Sequence, residues 1–414
     1  MTLTRNSWIS VILSTIVFFP VSYYLFKSSS DAQRTMHLIV FLQSLVLYSF
    51  NFKIYKNSQK LFFFFFLFSI SFIFFLINYI KTFTFFSLND LSDVFRIVFI
   101  YNYIVLGYVF SKSLNFEILI SYLKKLFKIQ IISSLLIFIP PLYFLLDIFK
   151  GRPSYEEFNF HFYRTSGTFI YPSDFSFVIG FFIFYFLYQF VFKNKCKLSL
   201  LISLILVFSS ISRGAILSYG LFIPLIPLIF YKNIFSFLKL IYLSYLIFAF
   251  ISFVSLLYFN NEYLDYIVDS ASYIITGEGS IDSSTSHRFN ELTLAFNFAN
   301  DNFPFGLGPS RSLIYEKIDV IESFYAYYLI KWGYTGLSFM LIFYFYILYI
   351  MFKGYNYFRG QSNFSVAGLY FSFISLTISF LLFFGWSSAI TERFKLMPFY
   401  FILCGFLIGS NKSR

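Results

Sequence analysis

Apolar runs of about 20 residues follow one another along the whole chain, separated by short polar connections. A helix of that length crosses about 30 Å of hydrocarbon. The pattern predicts twelve such helices, near 8–26, 36–52, 61–80, 94–110, 126–146, 172–192, 198–212, 214–231, 238–259, 321–352, 366–385 and 395–410. The 321–352 run exceeds the bilayer thickness and is expected to tilt or project. The 198–231 region must turn back at Ser212-Arg213-Gly214, leaving two short spans. The first run, Trp8 to Phe26, is longer than the apolar part of a secretory leader, contains Pro20 and precedes many further runs, so it reads as a retained helix. No repeat with a period of roughly 20–50 residues is visible. The expected fold is all-α, a polytopic membrane protein forming one transmembrane domain over 1–414, with external loops at 147–171 and 260–320.

Composition agrees with the pattern. Hydrophobic residues make up 58%, aromatic residues 26% and charged residues 12%, and the mean hydropathy is +0.74. A soluble chain carries roughly twice that charge, so the bilayer is the expected solvent. Cys196 and Cys404 lie in or beside apolar runs and indicate neither a disulfide framework nor a metal site. The Phe run at 62–66 reads as lipid-facing bulk.

The net charge of +12 does not point to nucleic acid, because most lysines sit in short clusters between apolar runs. Alternate connections hold Lys53/Lys56/Lys60, Lys112/Lys124/Lys125/Lys128, Lys193/Lys195/Lys197, Lys232/Lys239, Lys353/Arg359 and Lys412/Arg414. The positive-inside rule places these in the cytoplasm with both termini. That side then keeps only Glu117 of the 19 acidic residues. Arginine is distributed the other way, with Arg34, Arg96, Arg152, Arg164, Arg213, Arg288, Arg311 and Arg393 outside. Its planar fork pairs in bidentate fashion with phosphate and keeps its charge when desolvated, so the external face is expected to recognise an anion.

Polar material collects in the two external loops. The first ends in Arg164-Thr-Ser-Gly-Thr-Phe-Ile-Tyr-Pro172. The second passes from a Ser-rich stretch, Gly277 to Ser286, into His287-Arg288-Phe-Asn-Glu291. It continues through an apolar-patterned helix near 289–299 to Asn302-Phe-Pro304-Phe-Gly306-Leu-Gly308. Loops beyond about 15 residues are usually functional or disordered.

Four segments carry a resemblance. RTSGTFIYPSDFS (164–176), SISRGAIL (210–217), SHRFNELTLAFNFANDNFPFGLGPS (286–310) and ESFYAYYLIKWGYTG (322–336) stand in the order of similar segments in the O-antigen polymerase (Wzy-type) and O-antigen ligase superfamily of bacterial membrane glycosyltransferases. The resemblance covers roughly 160–340. Ligases of this superfamily place a His before an Asn, Ser or Gln, followed by nine residues and Gly-x-x-Gly. Here Ser323, Gly333 and Gly336 fit that spacing, but Glu322 stands where the ligase has its His, which looks more like the polymerase branch.

The resemblance implies a polysaccharide polymerase for O-antigen, capsule or exopolysaccharide in the bacterial inner membrane. Its donor is an undecaprenyl-pyrophosphate-linked oligosaccharide, and its partners are a flippase and a chain-length regulator. With no metal-ligand spacing among the external residues, no cofactor is expected, and fixed guanidinium groups are expected to stabilise the leaving pyrophosphate. Arg164, Arg213 and Arg288 are the expected clamp, with Arg311 in reserve. Arg164 also suits a pair with Glu156 or Glu157, and Arg288 a pair with Glu291 one helical turn on. Arg34, Arg96, Arg152 and Arg393 read as interface anchors. Glu322 is the leading candidate base, ahead of His287 and Asp301, though at a helix start it also suits the helix dipole. Direct displacement would invert the anomeric centre. Gly306, Gly308, Gly333 and Gly336 are expected to serve turns and close packing, and Pro172 and Pro304 to end or redirect helices. Tyr171, Tyr325 and Trp386 suit sugar stacking or the interfacial belt. The competing readings are an O-antigen ligase or O-oligosaccharyltransferase, and a lipid-linked oligosaccharide flippase. Against the flippase, the span centres are nearly free of charge.

Overall fold

The computed structural model describes residues 5–21, 29–49, 90–136, 165–210, 212–230, 283–308, 321–389 and 395–410, with isolated positions between them. Among the described residues every regular element is helical. The helices are α1 (Arg5–Phe18), α2 (Ser29–Ser49), α3 (Leu91–Ser111), α4 (Phe116–Leu135), α5 (Pro172–Lys193), α6 (Lys197–Ser209), α7 (Arg213–Phe222), α8 (Ile226–Phe230), α9 (Ser283–Asp301), α10 (Phe324–Gly360), α11 (Phe364–Leu382) and α12 (Leu396–Ser410). Three of these, α5, α10 and α11, are long and apolar enough to cross a membrane, and shorter apolar helices accompany them. The spans expected near 61–80 and 238–259 fall largely or wholly outside the described residues.

Local chemistry sets most boundaries. Helix α1 stops at Phe18, before Pro20, whose ring disfavours helical geometry at Phe19. Helix α4 starts at Phe116, well before the expected 126, because the Asn115 side chain accepts a hydrogen bond from the Ile118 amide (2.9 Å). Lys124, Lys125 and Lys128 therefore ride on exposed positions of a helix rather than in a connection. Pro172 opens α5 at its first position, where a missing N–H costs nothing, so it begins a helix instead of ending one. The turn expected at 212–214 is present, with Ser212 extended between α6 and α7. The expected 214–231 span is interrupted by a 3-10 turn over Ile223–Leu225, which holds Pro224.

Helix α5 is the centre of the packing. Every residue from Asp174 to Gln189 is buried, as expected of a helix apolar on all sides. Helices α6, α7 and α11 pack against it, and α10 packs on α11 and reaches α5 where the Tyr355 and Tyr188 rings meet at 6.2 Å. Helices α3 and α12 cross at glycine: a Cβ on Gly107 would strike the Ile402 carbonyl, and one on Gly405 the Ile104 carbonyl. A second, smaller core joins Leu292, Ala295, Phe298 and Ala299 of α9 to Ala326, Leu329 and Ile330 of α10.

The long apolar run resolves into a bent helix. Gly333 in α10 adopts φ 64°, ψ −163°, breaking the ladder of a 37-residue element. The orphaned groups find partners in the Pro304–Gly308 segment. Leu307 N–H donates to Ile330 O (2.8 Å), Gly308 N–H to Lys331 O (3.0 Å), and Thr335 N–H to Pro304 O (3.3 Å). Gly306 (φ 71°) and Gly308 (φ 88°) supply the left-handed turns this path needs. The glycines form the expected turns, and the Pro-x-Gly-x-Gly pattern acts as a splint for a broken helix, a role the turn reading did not include.

Candidate anion site where α9 meets the start of α10

Helix α9 presents Arg288 and Glu291 one turn apart, both toward the entry of α10. Arg288 pairs with Glu322: Nε and Nη2 donate to the same carboxylate oxygen, Oε2, at 3.4 and 3.2 Å. Both side chains are about one-third exposed, at 33% and 38%. The pairing of Arg288 with Glu291 is not formed. Glu291 is turned inward, 1% exposed, and its Oε1 accepts from the backbone N–H groups of Glu322 and Ser323, each at 3.0 Å. Burial raises the Glu291 carboxyl above the usual carboxylate range, and those two backbone donors work against the rise. Its other oxygen, Oε2, has no hydrogen-bond partner among the described residues.

Glu322 stands just before the helix, and Ser323 is the cap, accepting from Ala326 N–H (3.4 Å). The Ser323 hydroxyl also donates to Gly385 O (3.3 Å), in the 3-10 turn Phe384–Trp386 between α11 and α12. The same turn meets the start of α7, where a Cβ on Gly214 would lie 2.7 Å from the Ser387 hydroxyl. At the end of α6, Thr165 N–H donates to Ser209 O (3.0 Å), and the Thr165 and Ser209 hydroxyls bond at 2.7 Å. Ser176 and Ser210 hydroxyls join at 2.6 Å. Contacts thus run from 165–176 to 209–214, on to 385–387, and on to 288–323.

Of the expected clamp, Arg288 is brought to the candidate base Glu322. Arg164, Arg311 and the Arg213 side chain lie outside the described residues, although the backbone of Arg213 opens α7 and Thr165 is described. His287 is exposed beside Arg288. Asp301 is at the opposite end of α9, about 20 Å away at 1.5 Å per residue, and is excluded from this site.

The residues that hold this region in shape carry only faint sequence signals. Gln130 of α4 grips Thr168, accepting from its N–H (3.1 Å) and donating to its hydroxyl (2.8 Å). Lys395, 2% exposed, donates to Thr168 O (2.9 Å) and Val17 O (3.1 Å). Arg393, expected as an interface anchor, instead pairs with buried Asp174 (3.7 Å) and covers the Tyr171 ring. Arg96, read the same way, donates to the buried Tyr327 hydroxyl (2.7 Å). A lone lysine at the mouth of an apolar run and an acid in the first turn of an apolar helix were the available signals. Tyr325 and Trp386 pack together (5.0 Å), their polar tips tied to the carbonyls of Leu381 and Leu382.

The importance of Glu291 is measurable. Glu291→Ala strands two backbone donors, at about 1–3 kcal/mol each, and should lower the melting midpoint in detergent by several degrees. Glu291→Gln keeps the acceptor and should melt near wild type. The raised carboxyl fixes the sign of the pH effect. Stability contributed by protonated Glu291 is present at low pH and is lost as pH rises through the raised folded value. Wild type should therefore gain on Glu291→Gln as pH falls; an unchanged difference between pH 7 and pH 4 would remove this account.

In comparisons with known proteins, no family model matches the chain and no curated protein matches it.

Proposed function

We propose that this protein is a glycan polymerase of the bacterial inner membrane, joining undecaprenyl-pyrophosphate-linked repeat units on the external face. Twelve spans with both termini in the cytoplasm would put α9 and the start of α10 on that face. The observation that carries the reading is the contact between Arg288 and Glu322, a phosphate-binding cation and a proton acceptor drawn from segments 34 positions apart. Each segment resembles part of the polymerase and ligase superfamily, and an acid rather than a histidine at 322 favours the polymerase branch.

In the proposed reaction a hydroxyl of one lipid-linked unit attacks the anomeric carbon of another. The bond from that carbon to the pyrophosphate oxygen breaks, and the proton passes to the Glu322 carboxylate. Polyprenyl pyrophosphate leaves with its charge stabilised by Arg288, and in the proposal also by Arg164 and Arg213, with Arg311 near by. Attack from the opposite face inverts the anomeric centre. No step calls for a metal or cofactor.

The test supplies purified protein in lipid nanodiscs with polyprenyl-pyrophosphate-linked repeat units and separates the products by size. A ladder of lengths is expected. A single transfer to a lipid acceptor would move the assignment to a ligase, and movement of intact substrate across sealed vesicles without new bonds would move it to a flippase.

A further inference from the structure

We infer that the Arg288–Glu322 pair is a latch that the donor's pyrophosphate opens, so that the base is released only when donor is bound. The inference rests on the polymerase reading and deepens it. Three features carry it. First, Arg288 spends its Nε and Nη2 donors together on one oxygen of Glu322. That edge is one of those a guanidinium uses to fork a phosphate, so the carboxylate and a phosphate compete for it. Second, the pair is one-third exposed and therefore cheap to break, since water screens such pairs strongly. A pyrophosphate with more than one negative charge outcompetes a single carboxylate and repels it. Third, the Glu322 backbone cannot follow its side chain away. Its N–H and that of Ser323 are held by Glu291 from the same helix that carries Arg288, and Ser323 is tied to Gly385. Released, the carboxylate swings about a fixed pivot and stays within reach of the sugar.

Without donor, the cation and the base neutralise each other, which protects the site against idle proton transfer. With donor, one event seats the leaving group and frees the proton acceptor.

The test measures binding of farnesyl pyrophosphate and of inorganic pyrophosphate to the full-length protein in detergent, by calorimetry. Glu322→Gln removes the competing charge, and Glu322→Asp shortens the reach by one methylene. Both should bind each probe about three- to fivefold more tightly than wild type, while extension at saturating donor slows. Arg288→Ala should bind both probes more weakly. If Arg288→Ala weakens binding but neither Glu322 variant tightens it, the latch is wrong and the anion site stands. If Arg288→Ala binds as wild type does, the anion site itself is wrong. Tighter binding with an undiminished extension rate in Glu322→Gln would refute release of a base.

Discussion

Gly333→Ala should leave little folded protein in detergent, lowering the apparent melting midpoint by on the order of 10 °C. At φ 64°, ψ −163° the backbone lies where residues with a Cβ rarely go, a strain of about 1–3 kcal/mol. The new methyl would also enter the Pro304 carbonyl and lie 2.5 Å from Gly306 N and 2.7 Å from Phe305 C, all backbone atoms that cannot swing aside. Overpacking of this kind costs about 1–3 kcal/mol more. The two costs fall on the same joint, because moving the 304–308 segment away strands the carbonyls of Ile330 and Lys331. Gly220→Ala is the control. A Cβ there meets nothing within 4 Å, and alanine is the better helix former, so α7 should be unharmed. Equal melting of the two variants would show that the splinted break in α10 is not needed for the fold.

Arg288→Lys should slow chain extension by about 10²–10³ at saturating donor, with the melting midpoint changed by no more than a degree or two. Lysine keeps one positive charge near Glu322, so the ion pair and the packing of α9 survive. What is lost is the fork, two donors fixed in a plane, which in the proposed reaction a single ammonium would not replace as charge builds on the leaving pyrophosphate. The measurement is initial ladder formation in nanodiscs beside a thermal melt of the same preparation. A variant that extends glycan at the wild-type rate would remove Arg288 from the chemistry, whatever its contact with Glu322.

These two sites show where reading along the chain succeeds and where it stops. Long apolar runs declare helices by themselves, because length and hydrophobicity are local properties. So α3, α5, α11 and α12 begin and end within a few residues of expectation. Caps too are local, but a short polar residue such as Asn115 at the edge of a run also suits a loop, so the apolar pattern alone starts α4 near 126 instead of Phe116. The pattern at 304–308 announced turns, yet the break in α10 that those turns serve depends on hydrogen bonds between two distant stretches.

The residues at the candidate site divide the same way. Arg288 and Glu322 were visible because isolated charges in polar segments between apolar runs are conspicuous. The acid that Arg288 would meet was not visible. Glu291 is nearer in sequence and correctly spaced along the helix, but packing of α9 on α10 turns it inward, where buried backbone N–H groups hold it. Nothing in the sequence around Lys395 or Gln130 signals a shared partner, and only the fold sets the Thr168 backbone against both.

By itself, then, the sequence determined that this chain is helical and built for an apolar surrounding, with most of its charges outside the centres of the apolar runs. Each residue's own transfer free energy acts there without reference to distant neighbours. Only the tertiary structure decided which charges meet and which are buried, and which carbonyls are left for a glycine-rich segment to satisfy. Buried polar groups are held by hydrogen-bond partners about 3 Å away, and for residues distant in sequence packing chooses which.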